Sequence, residues 1–245
     1  MPKAKRAGKS PRVHKAQIKE GKIIGRGQAM GTGEPVKRVK ITERGRGRRV
    51  FHAAAKKANA YRGSESRILL AESQRAWRKF HRAGLPVPAF SRVMSRRPNI
   101  KKGKYSRHYL TTFMEDMTKK HGKLYDCHVQ GKPTFLVRLS AKKDAKLIRS
   151  LGRDLAAIYS LGFTCRFLDF WHFYKKKDGK WDRVILDLNS FRDAEGPVPE
   201  RQNLRDNIRE LKDVFGEREF KLFFREFLKH YKGRHRNAAV DASHF

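Results

Sequence analysis

Apolar residues recur at helical spacing in four stretches of the chain and cluster in several shorter, strand-like ones, and this contrast predicts its elements. Leu69, Ser73, Ala76, Trp77 and Phe80 fall on one face of a helix for which Ser64 is the N-cap candidate, and Gly84, before Leu85-Pro86-Val87-Pro88, ends it. A second helix over 141–161 carries Leu147, Ile148, Leu151, Leu155 and Ile158 on one stripe and stops at Gly162. Residues 204–215 and 218–231 give two more, the last with Phe220, Phe223, Phe224, Phe227, Leu228 and Tyr231 at helical spacing. Such a stripe predicts core packing, not a base-stacking platform.

Between these stripes the period shortens. Val36 to Ile41 and Arg48 to Ala53, joined by the turn-rich Glu43-Arg44-Gly45-Arg46-Gly47, predict a β-hairpin. Tyr109 to Met114 predicts a strand that stops at Glu115-Asp116. Val184-Ile185-Leu186 predicts a buried strand behind the Asp178-Gly179 turn. Residues 91–107, rich in Arg and Lys, read as a surface connection, 1–22 as a disordered basic arm, and 235–245 as a polar tail. Ala7-Gly8-Lys9-Ser10 is no P-loop, because Lys3 stands where the first glycine belongs and no strand precedes it. Gly25, Gly27, Gly31 and Gly33 suit either a phosphate-approaching turn or a flexible linker. The order is α+β, a small β-rich part followed by a mainly helical one.

Composition narrows the partners. The 245 residues suffice for a sizeable core, and 59 Lys and Arg against 24 Asp and Glu leave a formal charge of +35. That excess favours polyanions: nucleic acid, an anionic membrane surface or a phosphorylated glycan. The two cysteines, Cys127 and Cys165, exclude a disulfide framework and a cysteine-rich zinc site. No run approaches ~18 apolar residues, and the basic N-terminus leads into no apolar segment, so neither a membrane span nor a signal peptide is expected. The expected location is cytoplasmic, or peripheral to the inner face of a membrane.

Candidate chemistry gathers between Leu161 and Arg192. The helix end at Gly162 leads into an irregular loop with Asp169 and His172, then the Asp178-Gly179 hairpin, then a strand that ends in Asp187. Two carboxylates and an imidazole are thus expected near one another at the end of a short hairpin. Asp187 has two readings, a carboxylate offered to a metal or a cap on the turn that follows.

Several stretches together resemble the protein-kinase-like fold, and more narrowly the bacterial lipopolysaccharide core kinases that act on heptose and Kdo sugars. Lys37-Arg38-Val39-Lys40-Ile41 to Phe51-His52 resembles that family's second and third strands, and Ala71 to Trp77 through Pro88 its first helix and following turn. Tyr109 to Met117 is similar to its hinge. Cys165-Arg166-Phe167 stands before His172 at the spacing of its H-R-D-x-x-x-x-H motif, followed by a hairpin and Ile185-Leu186-Asp187-Leu188; Phe224 to Tyr231 is similar to its last helix. The resemblance implies a two-lobed fold with an N-lobe and hinge over 23–117 and a helical C-lobe over 118–234.

It further implies ATP and Mg as cofactors and transfer of a phosphoryl group to a sugar or other hydroxyl acceptor. Asp187 and His172 would hold the metal. Glu72 would pair with the hairpin lysine, whose aligned position is His52 with Lys56 near it, and Glu115 and Met117 would border the nucleotide. Phe167 replaces the aspartate that takes the acceptor's proton, which leaves Asp169 to serve as base. The alternative is a catalytically inactive kinase-fold protein whose basic surface binds polyanions.

Overall fold

The computed structural model describes residues 16–26, 35–43, 50–59, 63–96, 109–127, 135–136, 144–165, 168–193 and 200–244. They form a mixed α+β protein of antiparallel sheets and helices in two compact units, 1–77 with 88–122, and 78–87 with 123–245.

The first unit is built on a five-stranded sheet of β1 (Ala16–Arg26), β2 (Pro35–Glu43), β3 (Val50–Asn59), β4 (Ser91–Arg96) and β5 (Tyr109–Glu115), in the order β1-β2-β3-β5-β4. The expected hairpin is β2 and β3, antiparallel with Lys40 opposite His52 and Val39 opposite Ala53. Val39, Ile41 and Ala53 are buried on it, as is Phe113 on the neighbouring β5. Helix α1 (Gly63–Arg82) follows β3, and Gly63 already lies inside it, so Ser64 belongs to the first turn and is not the N-cap. Of its expected stripe Ser73, Ala76 and Phe80 are buried, Trp77 is half-buried with its indole donating to the Pro88 carbonyl at 2.8 Å, and the Leu69 side chain lies outside the described residues. Gly84, at φ 76°, carries the turn that ends the helix.

Two strands of this sheet arise where the sequence predicted none. β1 takes in 16–22 of the expected arm; its alternation is broken by bulges between Glu20 and Gly25, and at Gly21 the strand comes close to the Arg38 carbonyl, 3.1 Å from where a Cβ would stand. β4 lies in the stretch taken for a surface connection. Its arginines belong to an edge strand, where charge blocks pairing with another chain. After β5, Asp116 caps the short helix α2 (Met117–His121), accepting from the Lys119 amide at 3.0 Å while the Arg38 guanidinium pairs with it.

The second unit is organised by α3 (Ala145–Ser160), α4 (Glu200–Val214), α5 (Glu217–His230) and α6 (Arg236–His244). Asp144 caps α3 through the Leu147 amide at 3.0 Å. All five stripe residues of α3 are buried. The two helices α3 and α5 nearly touch at Gly152, where an added Cβ would stand 2.4 Å from the Phe223 carbonyl oxygen. Against them lie the three-stranded sheet β6 (Tyr125–Asp126), β8 (Trp171–Lys175) and β9 (Trp181–Ile185), in the order β6-β8-β9, and the pair β7 (Phe163–Cys165) with β10 (Phe191–Asp193). β8 and β9 are the expected hairpin, with Gly179 at φ 80° in its turn. The supposed polar tail is α6, whose Ala238, Ala239 and Ala242 are buried; small side chains at helical spacing gave it too little apolar signal to be seen. No helix among the described residues is long and apolar enough to cross a membrane.

Replacing Gly152 by Ala forces α3 and α5 apart, because the obstacle is backbone and no rotamer relieves it. We expect Gly152→Ala to destabilise the protein by about 1–3 kcal/mol in urea unfolding, as overpacked cores do.

Candidate functional site

A three-residue strand delivers the chain to the loop of interest, and side chains reinforce it. The Asn203 side chain on α4 accepts from the Cys165 amide at 3.1 Å and donates to the Cys165 carbonyl at 2.8 Å; Asn207 donates to the same carbonyl at 3.0 Å and to the Tyr159 hydroxyl at 2.7 Å. Both amides are buried. The Cys165 thiol is buried with them and pushed up to about 12, so it has no nucleophilic thiolate to offer.

Beyond β7, Leu168 and Phe170 are fully buried on either side of Asp169, which is itself half-buried between these two anchors. The Phe170 carbonyl accepts from the Leu186 amide at 2.9 Å, tying this loop to the end of β9. Asp187 follows at φ 45° and ψ 46°, the only non-glycine residue with positive φ among those described. The turn Leu188–Ser190 then leads into β10, which pairs back on β7 with Phe191 opposite Cys165. Two carboxylates are thereby brought to the same end of one strand pair. The Ser190 hydroxyl lies 3.3 Å from Asp169 Oδ1 and 3.5 Å from Asp187 Oδ2, and its one proton serves either of them in turn. Asp187 makes no side-chain cap hydrogen bond to its own turn, which disfavours the reading of it as a cap.

This corner is acidic within a strongly basic chain. Burial first, then the neighbouring Asp187, raises the Asp169 carboxyl above its ordinary value, with Ser190 opposing. Glu210 on α4 is raised as well, by burial and then by Asp169 and Asp213. His172, expected as a metal ligand, is engaged on both nitrogens: Nε2 lies 3.1 Å from Asp126 Oδ1, and Nδ1 faces the Phe170 carbonyl at 3.4 Å. The hydrogen bond from His172 is the main cause that holds Asp126 below the usual carboxylate range. An imidazole that binds metal turns one bare nitrogen to the ion, so ligation by His172 requires it to leave one of these oxygens.

The donor set fits a hard divalent cation. Magnesium is ordinarily held by one or two carboxylates together with waters and substrate phosphates, and Asp187, Asp169 and the Ser190 hydroxyl are oxygen donors of that kind. Among the described residues no three His, Cys, Asp or Glu side chains form an all-protein metal cage.

The residues expected around a nucleotide lie in the first unit. His52 stands on β3, and burial, followed by the nearby Lys119 and Lys40, lowers its imidazole below the ordinary value. It is therefore neutral at pH 7 and supplies no cation. Lys56 occupies the register position opposite Thr112 on β5; its side chain lies outside the described residues. Glu72 is half-buried on α1. The Glu115 carboxylate accepts from the Ala89 amide at 2.8 Å and pairs with Lys120 at 2.9 Å, and Met117 is buried in α2, so both side chains are used in holding the turn after β5. Arg166, Phe167 and the glycines from Gly27 to Gly33 lie outside the described residues.

Ser190, Asp126 and Glu210 were not singled out from the sequence. Ser190, three residues beyond Asp187, was the most accessible of them, since a left-handed turn folds it back on that carboxylate; nothing in the local pattern marked the other two. The chain matches no protein-family model and no curated protein.

The crowding of Asp169 has a definite pH signature. A carboxyl raised in the folded state keeps its proton after the unfolded chain has lost it, so its contribution to stability falls as pH rises from the unfolded value, about 3.9, through the folded one. In Asp169→Asn that loss should vanish, and without divalent cation the variant should melt up to a few degrees above the parent at pH 7. Melting curves from pH 4 to 7 check both.

Proposed function

We propose that the protein is a magnesium-dependent phosphotransferase of protein-kinase-like fold that transfers a phosphoryl group from ATP to a sugar or other hydroxyl acceptor. The observation that carries this reading is the convergence of Asp169 and Asp187 on one serine hydroxyl at the end of a strand pair, with Asp187 in a left-handed backbone. Backbone outliers of that kind collect at sites whose geometry matters more than their ease. Further support comes from chain order. A five-stranded antiparallel sheet with a helix between its third and fourth strands precedes a helical unit in which two short strands flank a hairpin, the order the sequence resemblance implies.

In this reading Asp187 would hold the metal, which would neutralise charge on the phosphates. Asp169 takes the proton of the acceptor hydroxyl, and the causes that raise its carboxyl also make it a better base than a solvated aspartate. Ser190 keeps the two carboxylates in register. His172, turned to Asp126 and the Phe170 carbonyl, orients the start of β8 instead of ligating. Lys56 is the candidate for the hairpin cation, because His52 is neutral.

A second reading is favoured by the charge of +35, which exceeds what phosphoryl transfer requires. In it the chain keeps the fold without turnover and holds an anionic partner, a nucleic acid, a phosphorylated glycan or the inner face of a membrane.

Melting with and without excess Mg-ATP separates the two. A ligand at a hundredfold excess over its Kd stabilises the folded state by about 2.7 kcal/mol, so the parent should shift clearly and Asp187→Ala should not. Turnover in Asp187→Ala should fall by at least about a hundredfold, the scale of losing one electrostatic stabiliser. An equal shift in both proteins rejects the assignment of Asp187, and no shift in either rejects the first reading.

A further inference from the structure

Helix α5 has two faces of opposite character. Phe220, Phe223 and Phe227 are buried, and on the diametrically opposite side Arg218, Lys221, Arg225 and Lys229 are all exposed. Spacings of three, four and four residues keep these cations in one straight row about 16 Å long. The one acid on this face, Glu217, sits at the end of the row and pairs with Lys221. Half-buried Leu222 lies between Arg218 and Arg225, and with Glu217 and Lys221 these residues line a shallow concavity of about 440 Å³.

We propose that this row is a docking surface for an anionic phospholipid bilayer. It deepens the charge-based reading of the partner and does not rest on phosphoryl transfer. A straight row of four cations on the outer face of an amphipathic helix meets a plane along its whole length, and such clusters bind anionic headgroups. Leu222 offers the apolar contact that a headgroup boundary accepts. Nucleic acid is the poorer fit: among the described residues no aromatic ring stands on the row, and Phe224 on the same helix is stacked on Phe220 at 5.5 Å and on Phe227 at 6.1 Å, so bases find no platform there.

Each Lys or Arg at an anionic surface contributes about a fivefold gain in partitioning, so two removed cations should weaken it about thirtyfold. The test uses the full chain and sedimentation with phosphatidylcholine vesicles containing phosphatidylserine, at matched ionic strength. R218Q/R225Q is compared with R78Q/R82Q, which removes the same charge from two exposed arginines of α1. The expected result is a loss near thirtyfold in the α5 variant, a loss under about threefold in the α1 variant, and no binding to phosphatidylcholine alone. Equal losses in both variants overturn the proposal, because binding then follows net charge and not this face. It is overturned as well by unchanged binding in R218Q/R225Q, or by duplex DNA responding to R218Q/R225Q more than the vesicles do. Asp187→Ala should bind vesicles as the parent does, so failure here and failure of the phosphotransferase reading are separately visible.

Discussion

Backbone amides and carbonyls that leave water must be paired, and a strand of three residues has little pairing of its own. At the end of β7 the deficit is met from α4, where the Asn203 side chain presents an oxygen and a nitrogen to Cys165 as a neighbouring strand would. Asp169 stands four residues further along the chain, so a helix side chain holds the strand end that precedes it. Asn207 adds a second donor to the Cys165 carbonyl and ties the Tyr159 hydroxyl into the same network. Replacing either amide by an apolar side chain leaves buried partners unsatisfied, which is why buried polar networks of this sort specify one arrangement so strongly.

The electrostatics of the second unit divide into a closed part and an open one. Asp154 and Arg183 meet through two parallel hydrogen bonds of 2.8 and 2.9 Å, and Asp182 supplies a further acceptor to the same guanidinium. Burial pushes the Asp154 carboxyl up and Arg183 opposes it, so each side chain answers the other's charge locally. Asp169 and Asp187 instead share a hydroxyl, that of Ser190, at 3.3 and 3.5 Å. After burial, the charge of Asp187 is the next cause that raises the Asp169 carboxyl.

What the sequence revealed follows the length over which a pattern repeats. The stripes of α1, α3, α4 and α5 extend over several turns, so Leu147 to Ile158 and Phe220 to Phe227 were legible as buried faces. The β8–β9 hairpin was legible because Asp178-Gly179 marks its turn. Strands β6, β7 and β10, of two or three residues, are too short for any period: β6 is paired by the hairpin strand β8, β7 and β10 by each other, and Asn203 completes the pairing of Cys165. β1 and β4 were hidden by lysines and arginines suited to edge strands, and α6 by its alanines. The candidate site was legible in its carboxylates, Asp169 and Asp187, which stood out along the chain. Ser190, Asp126 and the engagement of His172 were not, since they depend on a left-handed residue and on cross-strand register that no local pattern encodes.

The contact at Gly152 reaches further than the two helices that make it. At Gly152 the backbones of α3 and α5 meet with no side chain between them, and two residues on Asp154 grips Arg183 in β9, four residues before Asp187. Helix pair, ion pair and strand tip form one mechanical series. In native-state hydrogen exchange such a series opens as a single cooperative unit, and amides of α3 and β9 would then exchange with a common free energy despite lying on different elements.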